Sequence, residues 1–142
     1  MAGREVQYRL SLAEGFLNES RQDVASDRWR SAVDNAQLVV ENSAKAVLAL
    51  VAPVGRTHNP APLLRQTLDE DRFPDAHLKQ VHRLAECAEA LGFDVHVRTD
   101  YGDEMAGLTP WELFNEDDAH EALEIAEEAV SLAQGIISGI LH

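Results

Sequence analysis

Hydrophobic positions recur along this chain at helical intervals, most clearly from Trp29 to Val51, a stretch without Gly or Pro. At about 100° per residue, Asp34, Gln37, Glu41 and Lys45 fall on one narrow polar line. Ala32, Ala36, Val39, Val40, Ser43, Val47 and Leu50 gather on the opposite side. A thin polar strip on a broadly apolar helix predicts a segment packed over most of its circumference. This helix is therefore expected at the centre of an all-α bundle.

Other segments carry the same period. From about Arg4 to Val24, the residues Val6, Leu10, Ala13, Leu17 and Val24 form an inner face widened by Leu12 and Phe16. Ser26-Asp27 offers a short turn and an N-cap for the second helix, so the first two helices should lie antiparallel. The second should end near Ala52, because Pro53 and Gly55 follow. A short third helix can start at Pro60 or Pro62 and carry Leu63, Leu64 and Leu68. Pro74 suits the first turn of a fourth helix through Leu78, Val81, Leu84, Ala85, Ala88 and Leu91, stopped by Gly92. Residues 92–114 read as a long loop, with an edge strand at Phe93–Val97 as the alternative. The last helix opens on Asn115 as N-cap with Asp118 three residues on. Its apolar positions Ala119, Leu123, Ala126, Val130, Ala133, Ile137 and Ile140 make a regular seam. The expected fold is a single up-and-down bundle of four to five helices spanning residues 1–142.

Charge narrows the function. The net charge is −13. Residues 94–142 hold one basic residue, Arg98, against 12 acidic ones, while residues 1–93 hold 11 basic against 13 acidic. Phosphate binding draws on Lys and Arg, so the C-terminal third cannot supply a nucleic-acid surface. The plainer consequence of such charge is an acidic, soluble surface. No apolar run reaches the ~18–20 residues that cross a bilayer, and the N-terminus lacks an apolar signal core. The lone Cys87 excludes an internal disulfide, and a cytoplasmic protein is expected.

Chemistry-bearing patterns are sparse. Asp117-x-x-His120 is one loose analogue of a carboxylate–histidine metal motif, and His77 and His82 lie on different sides of one helix. No metal or other cofactor is expected. There is no Gly-x-Ser-x-Gly elbow and no glycine-rich phosphate loop. Cys87 lies mid-helix among apolar residues, where a thiol is inert. Glu41 and Lys45 are spaced for an ion pair on a helix surface. The sharper alternative places Glu41 in a polar groove facing an arginine such as Arg98. His58 is expected to brace its loop, and Tyr101, Trp111 and Phe114 to pin the long connection to the bundle or to a partner.

The order of these features resembles the HEPN domain family. The resemblance is carried by Gln37, Glu41, Lys45 and Ala46 on the second helix, then Thr57-His58, then Leu63-Leu64. It continues through Arg98-Thr99-Asp100-Tyr101 to the acidic-capped helix at Glu116-Asp117-Asp118-Ala119. What it implies is a dimeric helical bundle tied to nucleotide or RNA biology. Many family members are encoded beside a minimal nucleotidyltransferase, and some such pairs look like toxin–antitoxin systems. Catalytic members are metal-independent ribonucleases with an arginine followed a few residues later by a histidine.

This chain departs from that ribonuclease motif. Thr99 and Asp100 intervene between Arg98 and Tyr101, the proline of the family's R-Y-P pattern is missing, and no histidine follows Arg98 at the right distance. Arg72 and His77 have the spacing, but they lie early in the chain and Pro74 separates them. The resemblance therefore implies a non-catalytic, homodimeric binding partner of a minimal nucleotidyltransferase, of another effector or in a toxin–antitoxin type of system, with Glu41, Lys45, His58, Arg98 and Tyr101 as candidate binding residues. The alternatives are a ribonuclease using Arg72 and His77, and a purely structural bundle. RNA or a nucleotide enters only through the resemblance, since the charge gives it no support.

Overall fold

The computed structural model describes residues 2–141. Its elements follow as α1 (Ala2–Ala25), α2 (Trp29–Leu48), α3 (Ala61–Asp69), a 3₁₀ turn at Asp75–His77, α4 (Leu78–Ala90), α5 (Phe93–Tyr101), α6 (Pro110–Leu113) and α7 (Glu116–Leu141). Among the described residues no strand forms, and no helix is long and apolar enough to cross a membrane. The fold is all-α, as the periodicity requires.

α2 is the spine. Every residue from Val39 to Ala49 is buried, because α1, α7, α4, α3 and α5 all pack on this helix. Side chains that are small or β-branched allow this close approach. Ala32, Ala36, Val40, Ala44 and Val47 meet Ala122, Ala126, Ala129 and Ala133 of α7 in one continuous apolar cluster. The polar line of α2 is shielded as well, which the wheel alone does not show.

The hairpin of α1 and α2 is closed from behind its turn. Asp23, buried on the last turn of α1, accepts hydrogen bonds from Ser31 Oγ at 2.8 Å and Asn35 Nδ2 at 2.7 Å, and pairs with Arg28 at 3.0 Å. Ser20 Oγ donates to the Ala32 carbonyl at 2.9 Å. The expected Ser26-Asp27 cap is therefore corrected. The residue before α2 is Arg28, which gives no side-chain cap, and Asp27 instead turns the chain at φ 57°. An aspartate tolerates that left-handed conformation at modest cost.

Other boundaries shift for local reasons. α2 stops at Leu48 rather than near Ala52, and Leu50 and Val51 sit in hydrogen-bonded turns. Pro74 is extended and precedes the 3₁₀ turn, so α4 starts at Leu78. α7 opens with the reciprocal cap expected: Asn115 Oδ1 accepts from the Asp118 backbone N–H at 2.9 Å, and Asp118 Oδ2 accepts from the Asn115 N–H at 3.0 Å.

The long loop of residues 92–114 is the main correction. Residues 93–101, including the supposed strand, form α5 between Gly92 and Gly102. A bridge between Asp103 and Leu108 closes the following turn. α6 then starts on a capping box in which Thr109 accepts from the Glu112 N–H and Glu112 from the Thr109 N–H. Gly102 has φ 71°, and a Cβ there would overlap the backbone of Leu108, Thr109 and Pro110. Gly102→Ala should therefore cost about 2–3 kcal/mol, by combining left-handed strain with this collision. Urea unfolding followed by circular dichroism measures it.

Exposed arginine pairs bind the outer helices. Arg83 of α4 holds Glu128 of α7 at 2.6 and 2.7 Å, and Arg65 of α3 holds Glu89 of α4 at 2.8 and 3.0 Å. These guanidiniums lower the pKa of both glutamates. The stabilisation they give is present above the ordinary glutamate pKa and is lost as pH falls through the lowered values.

Candidate functional site

The polar line on α2 gathers the chemistry-bearing side chains. Lys45 Nζ donates to Glu41 Oε2 at 3.1 Å, and the two side chains are only 5% and 4% exposed. The surface pair expected from their spacing is thus corrected: the pair is buried, with His58 of the loop after α2 beside Glu41. Glu41 Oε1 faces Gln37 Nε2 and His58 Nδ1, each at 3.5 Å. His58 reaches in from that loop with its ring largely exposed and stacks nearly parallel on His96 of α5, with centroids 5.1 Å apart. Phe93 lies against the His96 ring.

One turn earlier the same line fastens the far end of α5. Thr99 Oγ1 lies 3.2 Å from Asp34 Oδ1 and donates to the His96 carbonyl at 2.8 Å. Arg30 Nε donates to the Thr99 carbonyl at 2.7 Å, and its guanidinium lies 3.6 Å from both Asp34 and Asp100. The polar line is therefore the seat on which α5 is fixed. Arg98, the expected partner of Glu41, is exposed and forms no ion pair among the described residues. Tyr101 is 65% exposed and does not pack on the bundle core.

Arg30, His96 and Thr99 were not among the candidate binding residues read from the sequence. Their role depends on α5 being a helix. Arg30 stands four residues before Asp34, and that spacing is the one signal that could have drawn it in.

Chemically, this arrangement braces. Both Glu41 oxygens are engaged, and the buried ammonium of Lys45 balances its charge. Gln37 Oε1 and His96 Nδ1 are buried without a hydrogen-bond partner among the described residues. Burial pushes the Cys87 thiol up to about 11, so it is protonated at neutral pH. Among the described residues no three His, Cys, Asp or Glu side chains are placed to hold a metal ion. His120 instead pairs with Glu116 at 3.6 Å and lies against Trp29.

Within one chain Arg72 and His77 have separate neighbours. Arg72 is exposed, 3.8 Å from Glu70. His77 is half-buried, with its ring so close over Gly139 of α7 that a Cβ there would overlap it.

Two hollows flank Phe114. One, of about 320 Å³, lies between the start of α2 and α6 and is lined by Arg28, Trp29, Arg30 and Trp111. Trp111 is 73% exposed, with its ring 5.9 Å from the Arg30 guanidinium. The other, of about 200 Å³, lies where α2, α4, α5 and α7 meet. Phe114 packs on the core and does pin this region.

The HEPN domain model matches residues 6–136 of the chain. The chain belongs to the HEPN domain family. TT1696 from Thermus thermophilus shares the fold: its crystal structure matches 92% of this chain and 96% of its own, with a TM-score of 0.68 at 17% identity. No curated protein matches the chain. In this HEPN domain the Glu41–Lys45 pair, His58 and the α5 segment all fall inside the matched region. Glu41 and Lys45 are buried there, while His58 and Phe93, Val97 and Tyr101 of α5 are exposed.

Proposed function

We propose that this HEPN domain acts by binding a protein partner and cuts no RNA. In this reading two copies associate through α1 and α7, and the dimer pairs with a minimal nucleotidyltransferase in a toxin–antitoxin type of system. One observation carries it: the outer face of α5 is apolar and unpaired while its inner face is locked down. Phe93, Val97 and Tyr101 stand at successive turns of that face, all exposed. Exposed apolar patches of this kind mark protein–protein surfaces. Building Arg30, Asp34 and Thr99 into a seat beneath them gives such a surface a rigid base.

Incubating the purified chain with single-stranded RNA in EDTA tests the reading. Intact RNA is expected from the wild type, from Arg72→Ala and from His77→Ala alike. Cleavage by the wild type that disappears in both variants would establish the ribonuclease alternative. Light scattering adds the second arm, with a dimer expected and a strict monomer contradicting the association.

A further inference from the structure

The smaller hollow beside Phe114 combines an apolar lining with two carboxylates. Val33, Leu91, Val95 and Ile125 make its floor and walls, and Asp118 and Glu121 of α7 stand on its rim. One oxygen of Asp118 accepts the Asn115 N–H in the cap of α7, and its other oxygen and Glu121 have no ion-pair partner among the described residues. Further along α7, Glu127 and Glu128 each hold an arginine, Arg21 and Arg83. Among the described residues Asp118, Glu121 and Glu124 form no ion pair at all. Residues 94–142, which supply most of the hollow's lining, contain one basic residue, Arg98, against 12 acidic ones.

We propose that this notch receives a lysine or arginine side chain from a basic, amphipathic segment of the protein partner. The aliphatic stem lies along Val33, Val95 and Ile125, and the cationic head meets Asp118 and Glu121. Long basic side chains bury their methylenes on apolar surface while the charge stays at the wet edge, which is the layout found here. Charge complementarity selects the occupant. An acidic segment is repelled, and a second copy docking symmetrically would set the same acids against one another. This inference rests on the domain being a protein-binding module, and it names the chemistry of the partner and the point where it anchors.

The test uses a synthetic helical peptide with a Leu face and a Lys face, beside a control in which every Lys is Glu. Titration into ¹⁵N-labelled protein should shift the amides of Val33, Leu91, Val95 and Ile125 with the Lys peptide and leave them unmoved with the control. Glu121→Lys, at an exposed position, should weaken the Lys peptide by about tenfold. Ile125→Ser should weaken it at unchanged charge, and raising the salt should weaken it further. Shifts mapping elsewhere, equal binding of both peptides, or indifference to Glu121→Lys would each overturn the proposal. A nucleotidyltransferase complex that forms and is insensitive to Glu121→Lys would sink the notch and leave the partner reading standing. Self-association abolished by Ile125→Ser would make the notch a contact between copies and overturn the inference.

Discussion

Val40→Asp should lower the stability of this domain by about 3–5 kcal/mol, the range for a buried charge without a partner. Val40 is fully buried on the side of α2 that belongs to the continuous apolar cluster. The cluster it belongs to is apolar, and the one hydroxyl on the same face, that of the buried Ser43, cannot balance a charge. The aspartate must either stay charged in apolar surroundings or take up a proton. The loss should therefore be larger at neutral pH than near pH 4. The sign follows from a folded-state pKa raised above the unfolded one: the folded state resists ionisation, so destabilisation grows as pH rises. Urea titrations at the two pH values measure both the size and the trend. A midpoint unchanged by the substitution would contradict the placement of α2.

Glu41→Ala is expected to cost about 3 kcal/mol or more, because it leaves the Lys45 ammonium buried and unbalanced. Lys45→Ala should cost a similar amount through the stranded carboxylate. The double substitution Glu41→Leu/Lys45→Met separates a structural pair from a functional one. Replacing both charges by apolar groups of similar size removes the desolvation penalty together with the attraction, so the double variant should be far closer to the wild type than either single one. A double variant as damaged as the sum of the two singles would show that Glu41 and Lys45 act independently. His58 borders this pair with its ring largely exposed, and removing it should cost much less.

How far the sequence reveals this molecule depends on how local each feature is. α1, α2 and α7 are legible because each repeats its apolar spacing over more than five turns. The Asn115–Asp118 cap is legible because it is a four-residue pattern. α5 is not legible. In nine residues it offers two turns, and Phe93, Val95 and Val97 alternate as a strand would. What decides between helix and strand is tertiary: Thr99 and Arg30 lock the segment on α2, and Gly102 turns the chain away.

The candidate site was half legible for the same reason. Glu41 and Lys45 stand out by spacing, but an ion pair of this spacing looks identical in sequence whether it faces water or a second helix. Its burial is tertiary, with the His58 loop beside Glu41, and the roles of His96, Thr99 and Arg30 follow from α5. The Ser26-Asp27 cap failed because Asp23, one turn earlier, already satisfies the side chains at the start of α2. Family motif spacing says nothing of surroundings. Arg72 and His77 match by count, yet one lies beside Glu70 and the other against Gly139.

Native mass spectrometry of the chain co-expressed with a minimal nucleotidyltransferase of the same genome tests the central claim, that this HEPN domain works through a bound protein. The account predicts a stable assembly containing two copies of this chain together with the nucleotidyltransferase. The chain appearing alone as a monomer, with the nucleotidyltransferase free beside it, would contradict it.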